Sequence, residues 1–122
     1  MLNYVEYSKM LGLSSDFLSV YKKNRKLKLN SKECYTHYLS TKQEQDYLQE
    51  NLQQAYIFLT ERRLMQTFSN FLVKNGIYKN NRSIYKSAVF WFMQRKNLVD
   101  SVTVARWKAI NKLFEEFKKE IK

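Results

Sequence analysis

Proline is missing from this chain of 122 residues, glycine occurs twice, and cysteine and histidine occur once each. Each scarcity excludes something. With neither proline nor glycine between Gly12 and Gly76, a flexible or polyproline linker cannot separate the halves, so they are expected to pack rigidly on one core. A lone Cys34 cannot form an internal disulfide and is expected to be a small buried hydrophobe. A lone His37, without a second His, Cys or paired carboxylate at ligand spacing, offers no metal site and little general-base chemistry. A Gly-rich phosphate loop and a Ser, His and Asp constellation are missing too. The chain is therefore expected not to be an enzyme, and to need no cofactor, metal or small-molecule substrate. No apolar run approaches the ~20 residues of a membrane span, and the N-terminus lacks the order of a secretory signal. Those absences point to a cytoplasmic protein without membrane insertion.

Acidic residues are also scarce. The chain has 22 Lys and Arg against 11 Asp and Glu, a formal charge of +11 and a pI near 9.8, so polyanions are its natural partners. The imbalance is concentrated. Phe17 to Lys32 holds six basic residues and no acid, and Arg62 to Val99 holds eight and no acid. What is plentiful otherwise is aromatic, at 16% of residues, in a chain 44% hydrophobic, which is enough to build a core.

The two glycines reveal a duplication. Tyr4 to Lys23, YVEYSKMLGLSSDFLSVYKK, aligns without a gap on Phe68 to Ser87, FSNFLVKNGIYKNNRSIYKS, placing Gly12 on Gly76 and Ser-Val-Tyr-Lys on Ser-Ile-Tyr-Lys. A shared glycine marks a backbone position with φ above zero or a close approach. Each copy reads as helix, turn, helix. Asn3 caps a first helix with Tyr4, Tyr7, Met10 and Leu11 inward, and Gly12 ends it. A second helix starts at Ser14 or Ser15 with Phe17, Val20 and Tyr21 inward. In a helix-turn-helix the second helix enters the major groove with its first residues against base edges. That makes Ser14, Ser15, Asp16, Ser19, Lys22 and Lys23 candidate DNA contacts. The second copy, N-capped at Thr67, offers Lys79, Asn80, Asn81, Arg82 and Lys86, of which Asn80, Asn81 and Arg82 are the best base readers, since Asn pairs with adenine and Arg with guanine.

Following the first pair, Lys26, Lys28 and Asn30 alternate with Leu27 and Leu29, a half-buried strand pattern, and Cys34 to Tyr38 is aromatic and β-branched enough to return as its partner. The pattern predicts a basic hairpin, a wing, whose Arg25, Lys26, Lys28 and Lys32 reach flanking phosphates, with His37 packing or hydrogen-bonding within it. Ser40 to Glu44 then opens a helix to about Arg63 with the stripe Leu48, Leu52, Ala55, Tyr56, Leu59. In the second copy Ser87 to Gln94 can continue the helix or form a strand, and its composition favours strand. Gln94 to Asn97 is then the turn, where Arg95 and Lys96 form a weaker wing. Asp100 or Ser101 caps a last helix with Val104, Trp107, Ile110, Phe114, Phe117 and Ile121 on one side. The expected fold is mainly α with small β hairpins, an α+β internal dimer of winged helix-turn-helix units over 1–63 and 64–122.

Helix, Gly turn, helix, basic hairpin and amphipathic helix, as in YSKMLGLSSDFLSVYKKNRKLKL, resembles the winged helix-turn-helix of MerR-type regulators and phage excisionases. Two such units in one short, Lys- and Asn-rich basic chain resemble the small TraN proteins of Gram-positive conjugative plasmids. The resemblance implies a double-stranded DNA binder, monomeric but acting as an internal dimer, that represses a conjugative-transfer operon and its type IV secretion machinery. Its recognition helices would enter successive major grooves. A protein-binding adaptor or inhibitor and a non-specific nucleic-acid-binding accessory factor are the alternatives; an RNA or single-strand binder stacking bases on Tyr and Phe ranks below duplex binding, because the aromatics mostly occupy core spacing.

Overall fold

The computed structural model describes residues 2–78 and 84–121. Among them are six helices: α1 (Tyr4–Met10), α2 (Phe17–Asn24), α3 (Ser31–Glu61), α4 (Met65–Lys74), α5 (Ile84–Met93) and α6 (Ser101–Glu120). No strand forms among the described residues, so the α+β reading with β hairpins is corrected to an all-helical one. Both expected hairpins fail for local reasons. After α2, Asn30 accepts the Glu33 backbone N–H at 2.9 Å while the Glu33 carboxylate accepts the Asn30 N–H at 3.1 Å, a capping box that starts α3 at Ser31. The helix thus begins nine residues before the Ser40 start expected from Ser40 to Glu44, and Cys34 to Tyr38 lie in its first turns. In the second half, Tyr85, Val89 and Phe92 are all buried at i, i+4, i+7 spacing. Burial along that stripe outweighs the strand preference of the individual residues.

The chain folds as two compact units, Met1–Gln43 and Glu44–Lys122, and the division falls within α3. The expected boundary at 63/64 lies inside the second unit. In the first unit Tyr7, Leu18, Tyr21 and Cys34 are buried. Tyr7 stacks on Tyr35 at 4.7 Å, and Phe17 and Tyr21 meet Tyr38 edge-on at 5.0 and 5.6 Å. The side chain of buried Ser8 donates to the Tyr4 carbonyl at 2.8 Å and accepts the Leu18 N–H at 3.0 Å, tying α1 to the start of α2. Leu18 takes the inward place expected of Val20, which is exposed, as is Met10. The second unit is built on Leu48, Leu52, Ala55 and Leu59 of α3 and on Val104, Trp107, Ile110, Phe114 and Phe117 of α6, as the stripes predict. Phe68 of α4 fills their centre, with rings of Tyr85, Phe114 and Phe117 at 5.1, 5.6 and 5.1 Å. Each such side chain contributes about 1.5–3 kcal/mol on burial. Ile121, the expected end of the stripe, is exposed, whereas Asp100 caps α6 as expected.

The glycine correspondence is structural. Gly12 donates to the Lys9 carbonyl and Leu13 to that of Ser8, at 2.9 and 3.1 Å; Gly76 donates to Val73 and Ile77 to Leu72, both at 3.0 Å. These are the same bonds sixty-four residues apart. They require a left-handed residue after the helix, and φ is 73° at Gly12 and 82° at Gly76.

Candidate nucleic-acid interface

In the first unit, α2 begins at Phe17, later than expected, so Ser14, Ser15 and Asp16 lie in the connection from α1. All three are exposed. The Ser14 hydroxyl donates to the Asp16 carboxylate at 2.9 Å, and the Phe17 N–H closes a turn on the Ser14 carbonyl at 3.0 Å. On α2 itself Ser19 and Lys23 are exposed. Lys22 is half-buried, and its ammonium donates to the Tyr4 hydroxyl at 3.0 Å, which raises its pKa above the ordinary lysine value. The second copy has Phe68 where Tyr4 stands, which offers no such hydroxyl, and Lys86 is exposed.

Beyond α2 the chain runs through Leu27 to Asn30 in neither helix nor strand. The burial alternates as the pattern implies, with Leu27 and Leu29 half-buried and Lys28 and Asn30 exposed, but the expected strand does not form. Side chains replace the missing ladder. Tyr4 donates its hydroxyl to the Leu29 carbonyl at 2.8 Å, and the Ser31 hydroxyl donates to the Leu2 carbonyl at 2.8 Å. Arg25 lies over the Tyr21 ring at 5.0 Å. Lys26 is exposed with φ 54°, and Lys32 is exposed in the first turn of α3, not on a hairpin. His37, on α3, pairs through Nδ1 with the Tyr21 hydroxyl at 2.6 Å, a hydrogen-bonding role within the helical core. This unit carries eight basic residues, Lys9, Lys22, Lys23, Arg25, Lys26, Lys28, Lys32 and Lys42, against Glu6, Asp16 and Glu33, a net +5.

In the second unit, Lys79, Asn80, Asn81 and Arg82 lie outside the described residues. Arg95 and Lys96 are exposed in the α5–α6 connection, and the weak second wing is corrected to this non-helical linker between two helices. Two glutamines of α3 hold it: Gln45 bonds Asn97 and Val99, and Gln49 donates to the carbonyls of Phe92 and Arg95, both at 2.8 Å. Sequence reading missed both. Their spacing of four residues places them on one helix face, on either side of Leu48 at the start of the apolar stripe, which is the signal that was there to be used. It also missed the exposed ring of Trp91.

Among the described residues no group of His, Cys, Asp and Glu could hold a metal ion, and no helix is long and apolar enough to cross a membrane. Cys34 is buried, as expected for a packed hydrophobe. Ammonium and guanidinium groups predominate among the exposed side chains at and after α2. No protein-family model, curated protein or solved structure matches the chain.

Proposed function

We propose that this chain is a sequence-specific double-stranded DNA-binding protein, a transcriptional regulator whose reading head is α1–α2. The observation that carries this reading is the exposed edge of the first unit. Ser14 to Asp16, Ser19 and Lys23 face solvent at and along α2, and exposed Lys26, Lys28 and Lys32 follow with no acid between Phe17 and Lys32. In a helix-turn-helix the start of the second helix meets base edges, while surrounding cations replace counterions on phosphates. Without a β wing, the segment Leu27 to Asn30, pinned by Tyr4, supplies flanking phosphate contacts through Lys28.

The duplication provides for a second head in α4–α5, and two heads in one chain would read an imperfect inverted repeat with half-sites roughly 34 Å apart. The TraN resemblance makes the regulated unit a conjugative-transfer operon, repressed by the bound chain. Selection of fragments from a random duplex pool, at about 150 mM salt where weak phosphate attraction is screened, tests this. An enriched two-part motif upstream of the chain's own operon supports all of it, and a one-part motif restricts reading to one head. Fragments bound without any motif would overturn sequence reading, and no binding would overturn the DNA proposal in favour of a protein partner.

A further inference from the structure

α5 does not hide all its aromatic rings. Tyr85 and Phe92 are 1% and 0% exposed, yet Phe90 and Trp91 remain 41% and 44% exposed. Phe90 lies against Tyr56 of α3 at 5.0 Å. Trp91 stands outside the buried cluster, and its ring carries the Arg95 guanidinium at 4.8 Å. That guanidinium is held in place by Nε donating to the carbonyl of Trp91 at 3.2 Å. Two hollows flank the indole. One, about 260 Å³, is lined by Tyr78, Ala88, Val102, Thr103 and Arg106 as well, and carries a second cation–aromatic pair, Arg106 over Tyr78 at 6.0 Å. The other, about 530 Å³, is formed by the linker Gln94 to Asp100, with exposed Lys96 on it.

An exposed indole with a pre-placed guanidinium suits either an apolar peptide or an unpaired nucleobase, and charge decides between them. Arg62 to Val99 has eight basic residues and no acid. Asp100 is the one carboxylate lining either hollow, and its Oδ1 accepts the Thr103 N–H at 2.7 Å, at the N-terminus of α6 where the helix dipole offsets its charge. A polyanion with flat faces is what such a site takes. We infer that Trp91, Arg95 and Lys96 form a stacking site for an unpaired nucleobase with its phosphate on the two cations, so that the second unit binds single-stranded nucleic acid. In a duplex the bases are already stacked and the indole cannot reach them, so this site senses strand state, independently of duplex reading by α1–α2.

The test is fluorescence anisotropy of a labelled oligothymidylate of about 12 nucleotides, within the reach of one small binding groove, with the full chain. Trp91→Ala is expected to weaken binding roughly 5- to 150-fold, the worth of one stacked base, and Trp91→Phe to retain most of it. Duplex affinity should not change. Equal oligothymidylate binding by wild type and Trp91→Ala overturns the inference, as does competition by polyglutamate of matched charge as effective as that by unlabelled oligothymidylate. Should the alanine variant lose helicity, quenching of wild-type tryptophan emission by the oligothymidylate decides instead, since Trp107 is 2% exposed and Trp91 is the accessible reporter. Quenching supports the site, and its absence removes it.

Discussion

The backbone N–H of Val99 donates to Oε1 of Gln45 at 2.9 Å across 54 positions of sequence, while Nε2 of the same side chain donates to the Asn97 carbonyl at 3.0 Å. Gln45 is fully buried. One amide thereby satisfies two backbone groups of the α5–α6 linker, and Gln49, one turn later, satisfies two more. Replacing Gln45 with alanine would remove these two hydrogen bonds, one of them to the buried Val99 N–H, and a stranded buried polar group costs about 1–3 kcal/mol. Gln45→Ala is expected to lose about 2–4 kcal/mol, read as a lower urea midpoint with an unchanged slope. A midpoint that does not move would mean that water replaces the amide.

Four helix ends close with the same pair of bonds, but only two have glycine at the left-handed position. After α2 and α3 that position belongs to Lys26, φ 54°, and Arg63, φ 56°. A Cβ placed on Gly12 or Gly76 meets nothing within 4 Å, so Gly12→Ala and Gly76→Ala should cost only the backbone penalty, about 1–2 kcal/mol. Conversely, Lys26→Gly and Arg63→Gly should stabilise by about 0.5–1 kcal/mol. If Lys26 contacts phosphate, Lys26→Gly raises the melting temperature and weakens DNA binding at once. A rise in both would remove Lys26 from the interface.

Where sequence reading succeeded, one signal dominated. The stripes of α3 and α6 are long and periodic, and Asp100 and the two glycines have strong local preferences that packing did not overrule. It failed where two signals competed over a few residues. Lys26 to Tyr38 alternates like a hairpin, yet Asn30 and Glu33 form a capping box within it, and a cap commits the following residues to helix. The start of α2 is ambiguous in the sequence because Ser14, Ser15 and Asp16 all suit an N-cap, and the Asp16 side chain at that position caps no backbone N–H but accepts from Ser14 instead. Exposure of Trp91 was not legible, because an aromatic ring within an apolar run carries no mark of which face the neighbours leave open.

Burial of the Tyr85 hydroxyl has a consequence at high pH. The residue is 1% exposed, its oxygen has no hydrogen-bond partner among the described residues, and burial raises its pKa far above the ordinary tyrosine value. The folded state therefore keeps its proton while the unfolded chain loses it above about pH 10. Below that pH the contribution to stability is fully present; as pH rises from about 10 toward the folded pKa it is lost. Urea midpoints are expected to fall over that range in the wild type and to fall less in Tyr85→Phe. Since a buried hydroxyl without a partner is itself unfavourable, the phenylalanine variant should also gain about 1 kcal/mol at neutral pH.

If the chain binds duplex DNA as proposed, the segment after α2 separates two contributions to that binding, charge and placement. Lys28 is exposed between half-buried leucines, so Lys28→Ala removes a charge and little else; the urea midpoint should stay in place. Losing one phosphate contact weakens binding to every duplex alike and reduces the slope of log affinity against log salt by about 0.9. Tyr4→Phe does the opposite: it keeps every charge but removes the hydroxyl that donates to the Leu29 carbonyl and receives the Lys22 ammonium. With the segment unpinned, affinity should fall while the salt slope is nearly unchanged, because the same cations still reach the phosphates less often. If Lys28→Ala instead relaxes sequence preference and leaves the slope intact, Lys28 reads bases, and the segment lies in a groove rather than along the backbone.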